Sequence, residues 1–572
     1  MSWYSLQRIY EVWVNKGAIW LWRISLALAV LEPCAAKAAA PLLSAAPDGR
    51  SNASAGYAAG DFWVTGRHVY QYGAAGNWSQ VALPAADPVD AIGGVPPLAC
   101  YATRRLRAAY AGPLMRVVNL RTQASQDVFA RADGSLDGQA LRTAMTGQPF
   151  VQVSILYDQC GHNDATQPDP AQRPDIAPAV TMGGRGIGIA FDGQTVQKIT
   201  KSFILPKTLA WLAGTASTQV SVVSFRAWFE QNAGISTLRN VTARSSDSTS
   251  WGYAGARLFY VSLTADHLLV TAMPGTAVSP RAPLTPFVAG YISAPAGTRL
   301  WMDRFAAASP AAYLPAIAGG SIGGLSFLQT FGYIDLGELL IYSRALTPPE
   351  QRRATASSAL AFHLMPQIRD TIAIAGDSLS SGVGSQLNLS WPRQMMGLLN
   401  RPYIISNGSL GGISATDFVP YATGAYFARS FLNGNARRLV MVDFGSNDLA
   451  KNLDAAKVYQ ALARIIATAH GAGARVLIAT ILPRAGFTQD GTPPGRQEAQ
   501  RLALNRLIRA NTAGADGLVD FANDPIMGVP GMVRNKQYYF DTIHPTTAGY
   551  AAMAADAAAA VNRMRWSGHQ AD

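Results

Sequence analysis

Four short polar segments in the last third of the chain hold residues able to do nucleophilic and acid–base chemistry. They are Gly376-Asp377-Ser378, Asn407-Gly-Ser-Leu-Gly-Gly412, Gly445-Ser446-Asn447-Asp448 and Phe540-Asp541-Thr-Ile-His544. A serine hydroxyl is a weak nucleophile at neutral pH and needs a base within hydrogen-bond reach. Asp541 and His544, three residues apart, supply one: the carboxylate can hold one ring nitrogen while the other faces the serine. The glycines of the second segment let backbone N–H groups approach a ligand with no side chain in the way. Together these are the components of an acyl-transfer site. Each residue also has a plainer use alone, Ser378 as a helix cap, Asn447 in a turn and His544 on a loop carbonyl. The other histidines, His68, His162, His267, His363, His470 and His569, lack an Asp at the same offset, and His470 beside Gly471 is expected at a helix C-terminus. No cluster has metal-ligand spacing and no nucleotide loop is present, so neither metal nor cofactor is expected.

The elements that must position these residues are legible around them. After Arg369 five apolar runs read as strands: Ile372 to Ala375, Tyr403 to Ser406, Leu439 to Asp443, Val476 to Ile481 and Gly517 to Asp520. Between them lie helical segments such as Asp454 to His470, where Val458, Leu462, Ile465, Ile466 and Ala469 repeat at helical spacing before the stop at Gly471. Such alternation predicts a parallel sheet covered on both faces, its site formed by loops at the carboxyl ends of the strands. The first three polar segments fall at such ends.

The four segments, in this order, resemble the signature blocks of the SGNH hydrolases, also called the GDSL family of esterases. The resemblance covers about 200 residues and implies an α/β/α three-layer, flavodoxin-like domain with a five-stranded parallel sheet. It implies Ser378 as nucleophile, His544 as general base and then acid, and Asp541 as the group that orients the imidazole and stabilises its charged form. The oxyanion hole would comprise the N–H groups of Ser378 and Gly412 and the Asn447 side chain, with Gly408 and Gly411 as alternatives to Gly412.

At 572 residues the chain is too long for one ordinary core. Hydrophobic content of 49% with 14% charged residues indicates folded material. The net charge of +12 does not indicate nucleic-acid binding, because the arginines are scattered and the densest cluster, Arg104-Arg105-Leu106-Arg107, is short. From about residue 96 to 365 the texture is one of short strand-like runs cut by Gly, Pro, Asn and Asp, which predicts an antiparallel β-sandwich. Leu98 to Val117 and Tyr157 to Gln167 resemble the start of the concanavalin-like domain of fungal arabinofuranosidase B, and Gly337 to Glu350 is similar to the last strand and helix start of laminin-G-like sandwiches. Arabinofuranosidase activity is not carried over. A retaining glycosidase needs two carboxyl groups about 5 Å apart, and no acid between 200 and 350 matches that family's motifs. Asp158 reads as a turn residue, and Cys160, where relatives carry Ser, can pair with Cys100. Trp211, Trp228, Trp251 and Trp301 are candidate sugar-stacking rings if exposed, with core packing as the default.

Residues 1–38 read as an export signal: Lys16 and Arg23, the apolar run Ile24 to Leu31, then Ala36-Lys37-Ala38. That run is too short to span a bilayer, which takes about 20 residues, and Leu31-Glu-Pro-Cys34 departs from a lipoprotein box. Residues 39–95 read as a linker with a hairpin, Asp61 to Tyr72 and Trp78 to Leu83 being the β-prone runs. The sandwich would occupy 96–365 and the hydrolase domain 366–572. The expected whole is an exported, periplasmic or secreted serine esterase that removes acetyl or other short acyl groups from a polysaccharide such as an exopolysaccharide, cellulose or hemicellulose. The alternatives are an acyltransferase to glycan, a lipase or thioesterase, and a non-catalytic adhesin.

Overall fold

The computed structural model describes residues 46–566 except 49–50, 56, 58, 60, 66–67, 83–87, 93–95, 184–185, 193–200, 226–232, 240–255, 264–267, 273–274, 280–284, 303–304, 310–313, 315–316, 324–332, 369, 429–430, 432–435 and 486–493. The export segment 1–38 lies outside the described residues, as do Trp228 and Trp251.

Residues 371–563 form three layers around a parallel sheet. Its strands are Thr371–Gly376, Ile404–Asn407, Arg438–Asp443, Arg475–Ala479 and Gly517–Val519, all five of the runs expected from the sequence. Counted along the chain, their order across the sheet is 2-1-3-4-5. Alternate residues serve opposite faces, as the strand pleat requires. Ile372, Ile374, Leu439 and Met441 pack with Trp391 and with Tyr550 and Met553 of helix Thr547–Arg563. Ala373, Ala375, Val440 and Val442 pack on the other side against helices Ala455–Gly471 and Pro494–Ala510. Val458, Leu462, Ile465, Ile466 and Ala469 are all buried on the first of these helices, so its 3.6-residue period reports the covered face faithfully. Burial on both faces is what makes each strand read as a continuous apolar run.

Upstream lies an antiparallel network that curls on itself. Its central strand, Tyr333–Tyr342, pairs along one edge with Ser217–Phe225 and at opposite ends of the other edge with Ala99–Ala102 and Gly186–Asp192. Ser217–Phe225 continues to Phe287–Ala294 and Gly297–Met302. A second sheet is built on Ser202–Trp211 and Ile317–Gly323, and Asp175–Met182 bridges the two by pairing with Gly186–Asp192 and Val151–Leu156. Leu339 and Ile341 face the inter-sheet core, while Leu340 and Tyr342 face helix Pro348–Ala361. That helix starts at Thr347 with a capping box, in which the Thr347 side chain accepts from the Glu350 backbone N–H while the Glu350 carboxylate accepts from Thr347 N–H at 2.8 Å; the Thr347 hydroxyl also donates to that carboxylate at 2.8 Å.

The region read as a linker is more ordered than a hairpin. The first β-prone run breaks into Phe62–Val64 and Val69–Tyr72, and with Trp78–Gln80 these make a three-stranded antiparallel sheet. Phe62, Val64 and Val69 join the core under helix Pro348–Ala361, and the Gln367 amide bonds both the N–H and the carbonyl of Val64. A run rich in Ala, Gly and Ser around these strands hides their apolar anchors from a composition-based reading. Cys100 and Cys160 form a disulfide. Among the described residues no helix is long and apolar enough to cross a membrane.

Candidate active site

The strand order places the polar segments side by side. Strand Thr371–Gly376 lies between Ile404–Asn407 and Arg438–Asp443, in register Ile374↔Asn407 and Gly376↔Asp443. The loops leaving these strands therefore flank Ser378 on both sides. Ser378 opens the short helix Ser378–Ser381, capped by Asp377, whose carboxylate accepts from Leu379 N–H at 2.9 Å. As the first helical residue, Ser378 has an N–H with no intrahelical acceptor.

Ser378, His544 and Asp541 are joined by hydrogen bonds. His544 Nε2 is 2.9 Å from Ser378 Oγ, and His544 Nδ1 is 2.7 Å from Asp541 Oδ2. The other carboxylate oxygen, Oδ1, accepts from the backbone N–H groups of Thr542 at 2.9 Å and of Ile543 and His544 at 2.8 Å each. One oxygen thus holds the loop while its twin holds the ring. Partial burial pushes the Asp541 carboxyl up, but the bonds from the His544 ring and from these N–H groups outweigh it and hold the group well below the usual carboxylate range. It stays ionised and acceptor-only, so Nδ1 carries the ring proton and Nε2 presents a lone pair to the serine.

Among the glycines of the second segment, Gly408 N–H is spent on Ile374 O at 2.8 Å, continuing the strand pairing. Gly412 has φ +77°, and nothing lies within 4 Å of where its Cβ would stand, so its backbone is open to a ligand in a way a side chain would prevent. Asn447 reaches in from the opposite side. Its Nδ2 donates to Ile413 O at 2.9 Å and makes a longer, 3.3 Å bond to Asp377 Oδ2. The two flanking loops are also tied to each other by the buried carboxylate of Asp448, which accepts from Ala415 N at 2.6 Å, Thr416 N at 3.0 Å and Thr416 Oγ1 at 2.9 Å.

Several polar groups around this arrangement went unremarked in the sequence. Asp443, at the end of its strand, accepts from Ser380 Oγ at 2.6 Å. Burial pushes its carboxyl up to about 6, and burial together with the neighbouring Asp443 raises Asp377 as well. Arg484 follows the fourth strand and donates to Ser446 Oγ at 3.2 Å; burial lowers its pKa while Asp377 and Asp541 pull the other way. The available signal was a carboxylate closing an otherwise apolar strand, Leu439 to Asp443. His470, expected at a helix terminus, does lie in the last turn of Ala455–Gly471, but its ring meets Asp516 at 2.9 Å. Asp158 is a structural turn residue: its carboxylate accepts from the N–H groups of Cys100, Cys160 and Asn163. Trp211 and Trp301 are buried, and Trp301 lies over Gly290 and donates to Thr355 Oγ1 at 3.1 Å, so both are packing residues. In the range 200–350, Asp335 pairs with Arg393 and Glu338 with Arg104, leaving neither as a glycosidase acid.

Residues 374–552 match the model of the GDSL-like Lipase/Acylhydrolase family. The C-terminal domain is thus of GDSL-like lipase/acylhydrolase type, which supports esterase or lipase activity. No curated protein matches the chain. Among solved structures, a GH54 a-l-arabinofuranosidase is 13% identical over 48% of this chain and 65% of its own, with a TM-score of 0.37; the chain thus spans 65% of that structure's length. A lipolytic protein of the G-D-S-L family from Veillonella parvula is 18% identical over 34% of this chain and 99% of its own, with a TM-score of 0.28. TesA is 23% identical over 33% of this chain and 95% of its own, with a TM-score of 0.27.

Proposed function

We propose that the GDSL-type domain makes this chain a serine esterase acting on short acyl esters of a polysaccharide. The observation that carries the reading is the chain of bonds from Ser378 Oγ through His544 to Asp541, at 2.9 and 2.7 Å. Ser378 Oγ attacks the ester carbonyl while Nε2 takes its proton, and the imidazolium formed is stabilised by the ionised Asp541. The negative charge on the carbonyl oxygen is met by the N–H groups of Ser378 and Gly412. Asn447 joins them by turning the hydrogen of its long bond to Asp377 towards the substrate, an adjustment typical of unliganded sites. His544 then returns the proton to the sugar alkoxide as it leaves. Water, activated by the same Nε2, releases the acid from the acyl-enzyme.

The polysaccharide part of the reading rests on the resemblance of the β-rich region to a sugar-processing fold and on the export pattern of residues 1–38. The test is acetate release from a panel of acetylated polysaccharides, beside short- and long-chain nitrophenyl esters, for wild type and Ser378→Ala. Acetate from one or more glycans, abolished in the variant, is expected. Full activity in Ser378→Ala removes the nucleophile. Acyl product retained on an added glycan with little free acid makes the enzyme a transferase, and a steep rise in rate with acyl length makes it a lipase or thioesterase. Glycan binding with no ester cleavage makes it an adhesin.

A further inference from the structure

The nine residues after the nucleophile helix, Gly382 to Ser390, are gripped from two sides. On one side they lie against the segment that carries His544. Tyr550 Oη donates to Val383 O at 2.8 Å, Gln386 N–H donates to Thr547 Oγ1 at 2.8 Å, and a Cβ on Gly384 would stand 2.7 Å from Pro545 O and 2.8 Å from Phe540 Cβ. On the other side they meet the β-rich domain. Leu387 N–H donates to Asp192 Oδ2 at 3.0 Å, and Asn388 Nδ2 donates to Asp335 Oδ1 at 2.9 Å and to Ile334 O at 3.2 Å. Just beyond, Arg393 makes a buried ion pair with Asp335, donates to Ser224 Oγ at 2.8 Å and to Thr181 O at 3.1 Å, and is 2% exposed against 0% for Asp335.

The segment is also held in an unfavourable backbone shape. Leu387 and Asn388 are consecutive left-handed residues, φ +57° and +54°. Asparagine tolerates that region and leucine does not, so the shape persists only because surrounding contacts impose it. The contacts that do so at these two residues come from Asp192, Ile334 and Asp335, all on the β-rich side.

We infer that Asn388, gripped by Asp335 and backed by Arg393, is a positioning residue for catalysis. Resting on the serine-esterase reading above, the inference makes the β-rich domain part of what sets the Ser378–His544 approach, not only a module that engages glycan. The strap from Gly382 to Ser390 begins one residue after the helix bearing Ser378 and lies along the segment bearing His544. A shift of its outer end therefore changes the relative placement of nucleophile and base, and rates respond steeply to small displacements of reacting groups.

The test uses the full chain with Asn388→Gly, which removes the side-chain bonds while keeping a residue at ease at positive φ, and Asp335→Asn as a second variant. Active sites are titrated with an ethyl nitrophenyl phosphonate, so that rates are counted per reactive serine and unfolded molecules drop out. Positioning predicts that kcat per titrated site and the phosphonylation rate both fall by about tenfold or more while KM on a nitrophenyl ester stays within about twofold. Unchanged kcat and labelling rate, with only the melting temperature lowered, would make the contact merely structural and overturn the inference. If Asp335→Asn does not fold, Asn388→Gly decides alone. A wild type that neither takes up phosphonate nor cleaves any ester overturns the esterase reading, and this inference falls with it. A reactive wild type matched by an equally reactive Asn388→Gly overturns the inference only.

Discussion

Replacing Asp541 by asparagine separates the two duties of its carboxylate. Oδ1 accepts three backbone N–H groups at 2.8 to 2.9 Å, and an amide oxygen can do the same, so the turn from Asp541 to His544 is retained. The position of Oδ2, 2.7 Å from His544 Nδ1, is then taken by an NH₂ group, which can only donate. The ring must present Nδ1 as an acceptor and carry its proton on Nε2, pointing at Ser378 Oγ. That tautomer cannot accept the serine proton. An intact site with the wrong tautomer loses about 10⁴ in kcat, or about 5 kcal/mol of barrier. Asp541→Ala loses the turn bonds as well, although a carboxylate with 43% side-chain exposure lets water replace part of them. The assay is kcat on a short-chain nitrophenyl ester together with thermal melts of wild type, Asp541→Asn and Asp541→Ala. The expected pattern is a collapse of kcat in both variants with the melting temperature nearer wild type for Asp541→Asn. An Asp541→Asn enzyme within tenfold of wild type would refute the argument, because the tautomer would then be set by something other than Asp541.

Asn447→Ala should lower kcat by about 10²- to 10³-fold with little change in KM, and a change confined to KM on a nitrophenyl ester would remove Asn447 from the oxyanion site. Asp443 has a folded-state pKa of about 6 against an ordinary 3.8. Its contribution to stability is therefore fully present below the unfolded value and is lost as pH rises through about 6. Melting temperatures followed across that window should fall less in Asp443→Asn than in wild type, and parallel curves would refute the assignment. The Cys100–Cys160 bond closes a sequence separation of 60, for which chain-entropy reasoning gives about 4 kcal/mol. Urea unfolding of a Cys100→Ser/Cys160→Ser double variant should show a loss of that order, and an unchanged midpoint would count against it.

The α/β domain was readable because its physics is local. Ile372, Ile374, Leu439, Met441 and Val476 are covered on whichever face they point to, so strands and helices announce themselves by period, and the polar breaks at Gly376 and Asp443 mark the strand ends. The Asp541–His544 pair was readable for the same reason, since three residues of separation are bridged within one turn. What was not readable depends on contacts distant in the chain. Asp335 and Arg393 look like ordinary surface charges until the two domains bring them together, and Asp448 looks like a turn residue until Ala415 and Thr416 arrive 32 to 33 positions away. The N-terminal strands were underestimated because their anchor, Gln367, lies 303 residues beyond Val64.

Asp158 bears on which cysteines are joined. One oxygen of its carboxylate accepts at 2.9 Å from the amides of both Cys100 and Cys160, so a single acceptor holds the backbones of both bonded residues. The chain has a third cysteine, Cys34, so the native bond is one of three possible pairings. Random oxidation of three thiols would leave most molecules wrongly joined. A carboxylate that holds the two right backbones side by side favours their pairing over either pairing with the third cysteine in the folded chain.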